Sequence, residues 1–228
     1  MNFDFMAKWY PYFTNGILYT VMLAAFTVIL GFILGMLLAL LRLSNSKILK
    51  TVSGIYIEAF RCTPVYVQLL ILYYGPFSLI PIPEFYLFGF IDATRFIPGI
   101  AVLSLNSGAY VAEIIRAGIL AVDFGQAEAS RSLGMTGWQT MWHVVLPQAI
   151  KNILPAIGNE FVVIIKESAI CSTLGMQELM WSARTVQGAT YKIYEPLLIA
   201  AGLYFVLTFP TSKLIQGVER RMRRGDVR

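Results

Sequence analysis

GILYTVMLAAFTVILGFILGMLLALL, residues 16–41, runs for 26 residues without a charged side chain. As a helix it would rise about 39 Å, against roughly 30 Å for the hydrocarbon layer of a bilayer. Lipid offers no partner to a backbone amide, so a helix, which satisfies its own amides, is the form such a stretch takes there. Composition says the same of the rest of the chain. Of 228 residues 57% are hydrophobic and only 14% are Asp, Glu, Lys or Arg, where a water-soluble domain carries about a quarter. The fold class expected is an all-α membrane protein.

Working outward from 16–41, four more apolar runs qualify as spans: 52–75, 96–119, 147–170 and 196–215. Ahead of the first, Phe3, Phe5, Trp9, Tyr10, Tyr12 and Phe13 surround Asp4 and Lys8, a composition suited to a segment lying along the headgroups. The first run is too long for the apolar core of a signal peptide, and Arg42, Lys47 and Lys50 follow it instead of preceding it. It is expected to remain as a helix. Within it Gly31, Gly35 and Ala39 recur every fourth residue, which would let a second helix approach closely. With no internal duplication and no second soluble domain, residues 1–228 read as one membrane domain of five transmembrane helices.

Charge sets the expected orientation. Between the first two spans there are three basic residues and no acid, and between the next two Glu84 and Asp92 face Arg95 alone. From Arg116 to Lys151 there are three basic and two acidic residues, from Lys166 to Glu195 three of each, and from Lys213 onward six basic and two acidic. Every positive excess falls on one side, so the N-terminus is expected outside and the C-terminus in the cytoplasm. The net charge of +5 is thereby explained by membrane orientation, and no basic stripe interleaved with aromatics points to nucleic acid. Cys62 and Cys171 lack metal-ligand spacing and read as small buried hydrophobes without a disulfide.

The connector at 120–146 is the most informative polar segment. Gln126–Leu133 permits a helix that Gly134 would close in the left-handed conformation, and a second amphipathic stretch, Trp138–Val145, leads to Pro147, a residue suited to the first turn of the next span. A helical elbow on the cytoplasmic surface is expected.

In this elbow Glu128-Ala129-Ser130, Gly134, Val144 and Leu146-Pro147 fall in register with the signature of the membrane subunits of bacterial ATP-binding-cassette (ABC) importers: Glu-Ala-Ala, three residues, Gly, nine residues, Ile, one residue, Leu-Pro. The likeness covers most of the chain and resembles the polar amino-acid uptake branch in EAFRCTPVYVQLLILYYG (58–75), LNSGAYVAEIIRAGI (105–119), GQAEASRSLGMT (125–136), LPQAIKNILPAIGNEF (146–161) and KESAI (166–170). Cys62 stands where that branch usually has glycine. The resemblance implies the type I importer permease fold, with the elbow as coupling helix in a groove of an ATPase subunit and Gln126, Glu128, Ala129, Ser130, Gly134 and Pro147 as coupling residues. It also implies partners: two copies of the ATPase, a second permease subunit (the same chain or a close paralogue), an extracytoplasmic substrate-binding protein and an amino-acid substrate, in the inner membrane of a bacterium. The chain has no Gly-x-x-x-x-Gly-Lys-Ser/Thr, so ATP and Mg are expected on the partner and this chain is expected to be no enzyme.

Candidate substrate contacts come from depth and charge. Asn159 and Glu160 lie about 12 residues, or roughly 18 Å, beyond Pro147, near the midplane. A carboxylate there costs about 2.5–3.5 kcal/mol unless it faces a cavity or a partner. Substrate contact is the preferred reading, and an intramembrane ion pair or hydrogen-bond pair is the other. Pro155 and Gly158 just before it suit the kinked helix of a transport path. Asn106, Tyr110 and Glu113 share one helical face and add hydrogen-bonding candidates in Asn106 and Tyr110. Glu58 with Arg61 and Glu113 with Arg116, spaced i,i+3, read as structural pairs. The single His143 has no partner for metal or acid–base chemistry, and no catalytic residue is assigned. The function expected is ATP-driven uptake of a polar amino acid, with basic ones among the candidates. Its rival is an ion-gradient-driven secondary transporter, which would leave the elbow signature without a purpose.

Overall fold

The computed structural model describes residues 2–223. The first helix, α1 (Met6–Leu43), is 38 residues long, and Pro11 lies inside it without ending it. The aromatic segment expected along the headgroups is therefore the first turns of α1. Part of it packs inward, with Phe5, Met6, Trp9 and Phe13 meeting Leu179, Val186 and Ala200, while Phe3, Tyr10 and Tyr12 stay exposed.

Helix α2 (Lys47–Arg61) and helix α3 (Val65–Tyr74), the latter extended by a 3-10 turn over Pro76–Leu79, meet at 105°. The run expected as one span at 52–75 is thus bent at its middle. The cause is Pro64, which drives the preceding residue out of the helical region and itself takes an extended ψ of 132° to open α3. Cys62 is exposed at this corner, whereas Cys171 is buried as expected.

A two-residue hairpin, β1 (Tyr86–Leu87) with β2 (Ile91–Asp92), leads into α4 (Ala93–Leu120), where the Asp92 carboxylate caps the Thr94 amide at 2.9 Å. Helix α4 is the axis of the fold, packed by α1, α2, α3 and α7. After it come α5 (Phe124–Ser132), α6 (Gly137–Thr140), a π turn (Met141–Val145) and α7 (Leu146–Glu167). A 3-10 segment (Ser168–Leu174), α8 (Leu179–Thr190) and α9 (Tyr194–Arg223) complete the chain. Among the described residues three helices have the length and composition to cross a membrane, Met6–Leu43, Ala93–Leu120 and Tyr194–Met222, and the bent α2–α3 pair makes a fourth if counted as one span. Helix α7 carries Lys151, Glu160, Lys166 and Glu167 among its 22 residues.

The glycine spacing of α1 has the consequence expected. A methyl group on Gly31 would sit 2.8 Å from Ser107 Oγ, and one on Gly35 would sit 2.6 Å from the Val111 side chain. Ala39, one turn on, is fully buried against the same helix in a cluster with Val111, Ile115 and Ile153. Gly35→Val should therefore force α1 off α4 and lower the melting temperature of the purified protein by on the order of 2–10 °C. Gly137→Ala, at a position with nothing within 4 Å, should leave it unchanged.

Candidate functional site

The elbow folds for local reasons. Helix α5 ends in a full Schellman closure: the Gly134 amide donates to the Arg131 carbonyl at 2.9 Å and the Met135 amide to the Ser130 carbonyl at 3.2 Å. Gly134 holds φ +86°, the left-handed value this closure needs. Two residues later Thr136 and Gln139 form a reciprocal capping box that starts α6. The two short helices are then locked by their hydroxyls, because Ser130 Oγ and Thr140 Oγ1 lie 2.9 Å apart and both residues are buried. Ser130, which departs from the alanine of the family signature, thus has a partner of its own.

Pro147 is the second residue of α7, in its first turn as expected, but helical backbone already leads into it. From Gly137, α6, the π turn and α7 follow one another without a gap through to Glu167. Proline lacks an amide for the carbonyl four residues back and crowds it, and the π turn, whose Leu146 amide donates to the Met141 carbonyl, lies immediately before it. Widening the turn there accommodates the ring without a break. Gln148 Nε2 donates to the Val144 carbonyl at 2.9 Å, and His143 Nδ1 lies 3.0 Å from the Gln139 carbonyl. His143 is absorbed in backbone capping.

On α5 the residues Gln126, Glu128 and Ala129 are exposed, whereas Ala127 is half-buried against its own chain. Phe124 and Leu133 flank this face with 74% and 85% of their surface open. Two large apolar side chains thus lie open beside an exposed carboxylate, and charge and signature alone did not pick them out.

On the same rod, about 20 Å beyond Pro147, Glu160 is 8% exposed. Its Oε1 accepts a hydrogen bond from Ser107 Oγ of α4 at 3.0 Å. Asn159 is exposed and faces away from that contact. Asn106, next to Ser107, is turned to the bent helix pair: its Nδ2 donates to Gln68 Oε1 at 2.8 Å and approaches the Phe60 carbonyl at 3.3 Å. Gln68 Nε2 in turn lies 2.7 Å from the Phe60 carbonyl and 2.9 Å from that of Thr63. A glutamine one turn after a proline inside an apolar run was the signal for this corner, and it went unread. Tyr110 is partly exposed, with the Arg61 guanidinium 5.8 Å from its ring centre. Arg61 therefore does not pair with Glu58, which takes the Cys62 thiol. Glu113 and Arg116 do pair, through Nε and a second guanidinium nitrogen. The structure thus gathers Glu160 with Ser107, and Asn106 with Gln68, on adjacent residues of one α4 turn, leaving Asn159 and Tyr110 at the surface.

The model of the "Binding-protein-dependent transport system inner membrane component" family matches residues 31–224. The chain belongs to that family. It is 40% identical over 223 residues to the "Putative glutamine transport system permease protein GlnP" of Rickettsia conorii, covering 96% of this chain and 98% of that one. It is also 40% identical over 228 residues to the "Arginine transport system permease protein ArtQ" of Bacillus subtilis, covering 99% and 100%. A solved structure described as an amino acid ABC transporter with histidines superposes with a TM-score of 0.88 at 47% identity, over 97% of this chain and 100% of that one. The inward-facing MetNI methionine ABC transporter, at 21% identity and a TM-score of 0.68 over 95% and 99%, shares the fold. The chain is accordingly a permease subunit with the all-helical type I importer fold. In this family ATP hydrolysis belongs to a separate subunit. Membership removes the ion-gradient alternative.

The α2–α3 corner generates a stability prediction. Gln68→Leu strips partners from Asn106 and from the freed carbonyls of Phe60 and Thr63, and should cost about 1–3 kcal/mol in unfolding measurements. Adding Asn106→Leu should cost much less than its effect alone, because the two amides form one network.

Proposed function

We propose that this subunit carries polar amino acids inward across a bacterial inner membrane, as half of a paired permease driven by two ATPase subunits and fed by an extracytoplasmic binding protein. The glutamine and arginine named for its 40%-identical relatives support the substrate class. ATP and Mg belong to the ATPase partners. Five crossings are proposed: the three long helices, the bent α2–α3 pair, and α7, whose charges fit a helix that faces a polar path instead of lipid. The elbow, residues 42–51 and the C-terminus lie in the cytoplasm and the N-terminus outside, following the positive residues.

The observation that carries the mechanism is the single helical rod from Gly137 to Glu167. The face formed by Gln126, Glu128 and Ala129 meets the ATPase, and Ser130, Gly134 and Pro147 hold the elbow in shape. ATP-driven closure of the ATPases moves the elbow, and the continuous helix carries that motion past the π turn and Pro155 to Glu160. Glu160 meets no cationic side chain among the described residues, so a substrate ammonium or basic side chain supplies the missing charge. Asn159, Asn106 and Tyr110 complete the proposed contacts, with Asn159 and Tyr110 on surfaces that a second permease subunit would enclose.

The test is uptake by the reconstituted complex. Glu160→Gln should cut transport of a basic amino acid at least about tenfold, the equivalent of one lost charged hydrogen bond, while basal ATP hydrolysis persists. Unchanged uptake and an unchanged competition pattern would remove Glu160 from the path. If no amino acid with any cognate binding protein accelerates hydrolysis by the wild-type complex, the proposed substrate class is wrong.

A further inference from the structure

A groove of about 800 Å³ lies between α1, α4 and α7, with walls that include Leu40, Ile119 and Leu154 but not Glu160. Its end is formed by the elbow, through Trp138 and Trp142, whose rings meet edge to face at 5.4 Å. The volume is in the range of about 300–1,000 Å³ typical of ligand sites, and the walls are apolar throughout apart from Ser44. Ser44 Oγ is buried without a hydrogen-bond partner among the described residues.

Directly beyond Ser44 the chain enters α2. Lys47 and Lys50 stand exposed in the first turns of that 15-residue helix, which has no acid in its first turn. Three residues of chain span at most about 10 Å, so the Lys47 ammonium is within reach of the groove mouth. Free amides at a helix start, two lysines and an unpartnered hydroxyl at the end of an apolar slot together complement an amphiphile with an anionic head. Tryptophans at the rim are the side chains favoured at the depth where such a head meets its chain.

We propose that the groove holds one acyl chain of an anionic phospholipid from the cytoplasmic leaflet. Its phosphate lies at Lys47, Lys50 and the start of α2, and Ser44 donates to a headgroup ester oxygen. Because the elbow forms one wall, the bound chain braces it against α1 and α4, making the lipid a structural partner of the coupling lever. The leaflet assignment rests on the orientation proposed above.

The test uses the complete transporter in phosphatidylethanolamine vesicles containing the same small mole fraction of either phosphatidylglycerol or phosphatidylcholine with a photoactivatable acyl chain. Adducts are mapped by mass spectrometry. The glycerol lipid should label groove residues such as Leu40, Leu154 and Trp142 about fivefold or more above the choline lipid, and Lys47→Gln with Lys50→Gln should erase the difference. Equal labelling by the two lipids, or no labelling of the groove, overturns the proposal. A disulfide between two copies carrying Leu40→Cys in a Cys62→Ser background would show that a second copy covers the groove, which also overturns it. Labelling of Lys47→Cys by an impermeant maleimide from outside intact cells would overturn the orientation and the leaflet while leaving the headgroup preference to be judged on its own.

Discussion

Close contact between α1 and α4 is the constraint on which the rest depends. Gly31 and Gly35 remove the side chains that would hold the helices apart. Dispersion and packing, not water, drive association of helices in lipid, so contact at this distance is what makes α4 a fixed axis. Ser107 sits at the seam and turns its hydroxyl to Glu160 of α7. The same close approach that packs the fold therefore sets the partner of its buried carboxylate.

A second constraint follows from proline. Pro64 and Pro147 both interrupt helical hydrogen bonding, with opposite results. At Pro64 the chain turns by 105°, and Gln68 and Asn106 cover carbonyls at the corner. At Pro147 a π turn absorbs the ring and the helix continues. One proline makes a corner and the other is contained within a rod. The difference fits the proposed roles, a broken element beside the path and an unbroken one between motor and path.

Much of this was legible in the sequence. The apolar runs placed the helices, the Gly-x-x-x-Gly-x-x-x-Ala spacing identified the face of α1 that packs on α4, and Gly134 was read correctly as the end of a short helix. What failed were inferences that depend on what lies across a contact. Within the aromatic N-terminal segment, composition did not separate Trp9 and Phe13, which pack on α8 and α9, from Tyr10, which stays exposed. Pro147 does take the first turn of α7, but the helical backbone leading into it, begun at the capping box of Thr136 and Gln139, was not foreseen. Arg61 lay three residues from Glu58 and was taken by the Tyr110 ring instead. Asn159 and Glu160 are consecutive and so point about 100° apart on a helix, which leaves one exposed when the other is buried.

Coupling requires the helix from the elbow to Glu160 to move as one piece. The direct measurement is stimulation of ATP hydrolysis by substrate-loaded binding protein in the reconstituted transporter, with and without two glycines inserted between Val145 and Leu146. Glycines there loosen the helix between elbow and carboxylate while leaving the docking face on α5 intact. Retained basal hydrolysis with loss of both stimulation and uptake is the predicted result. Normal stimulation and uptake in the inserted variant would contradict it.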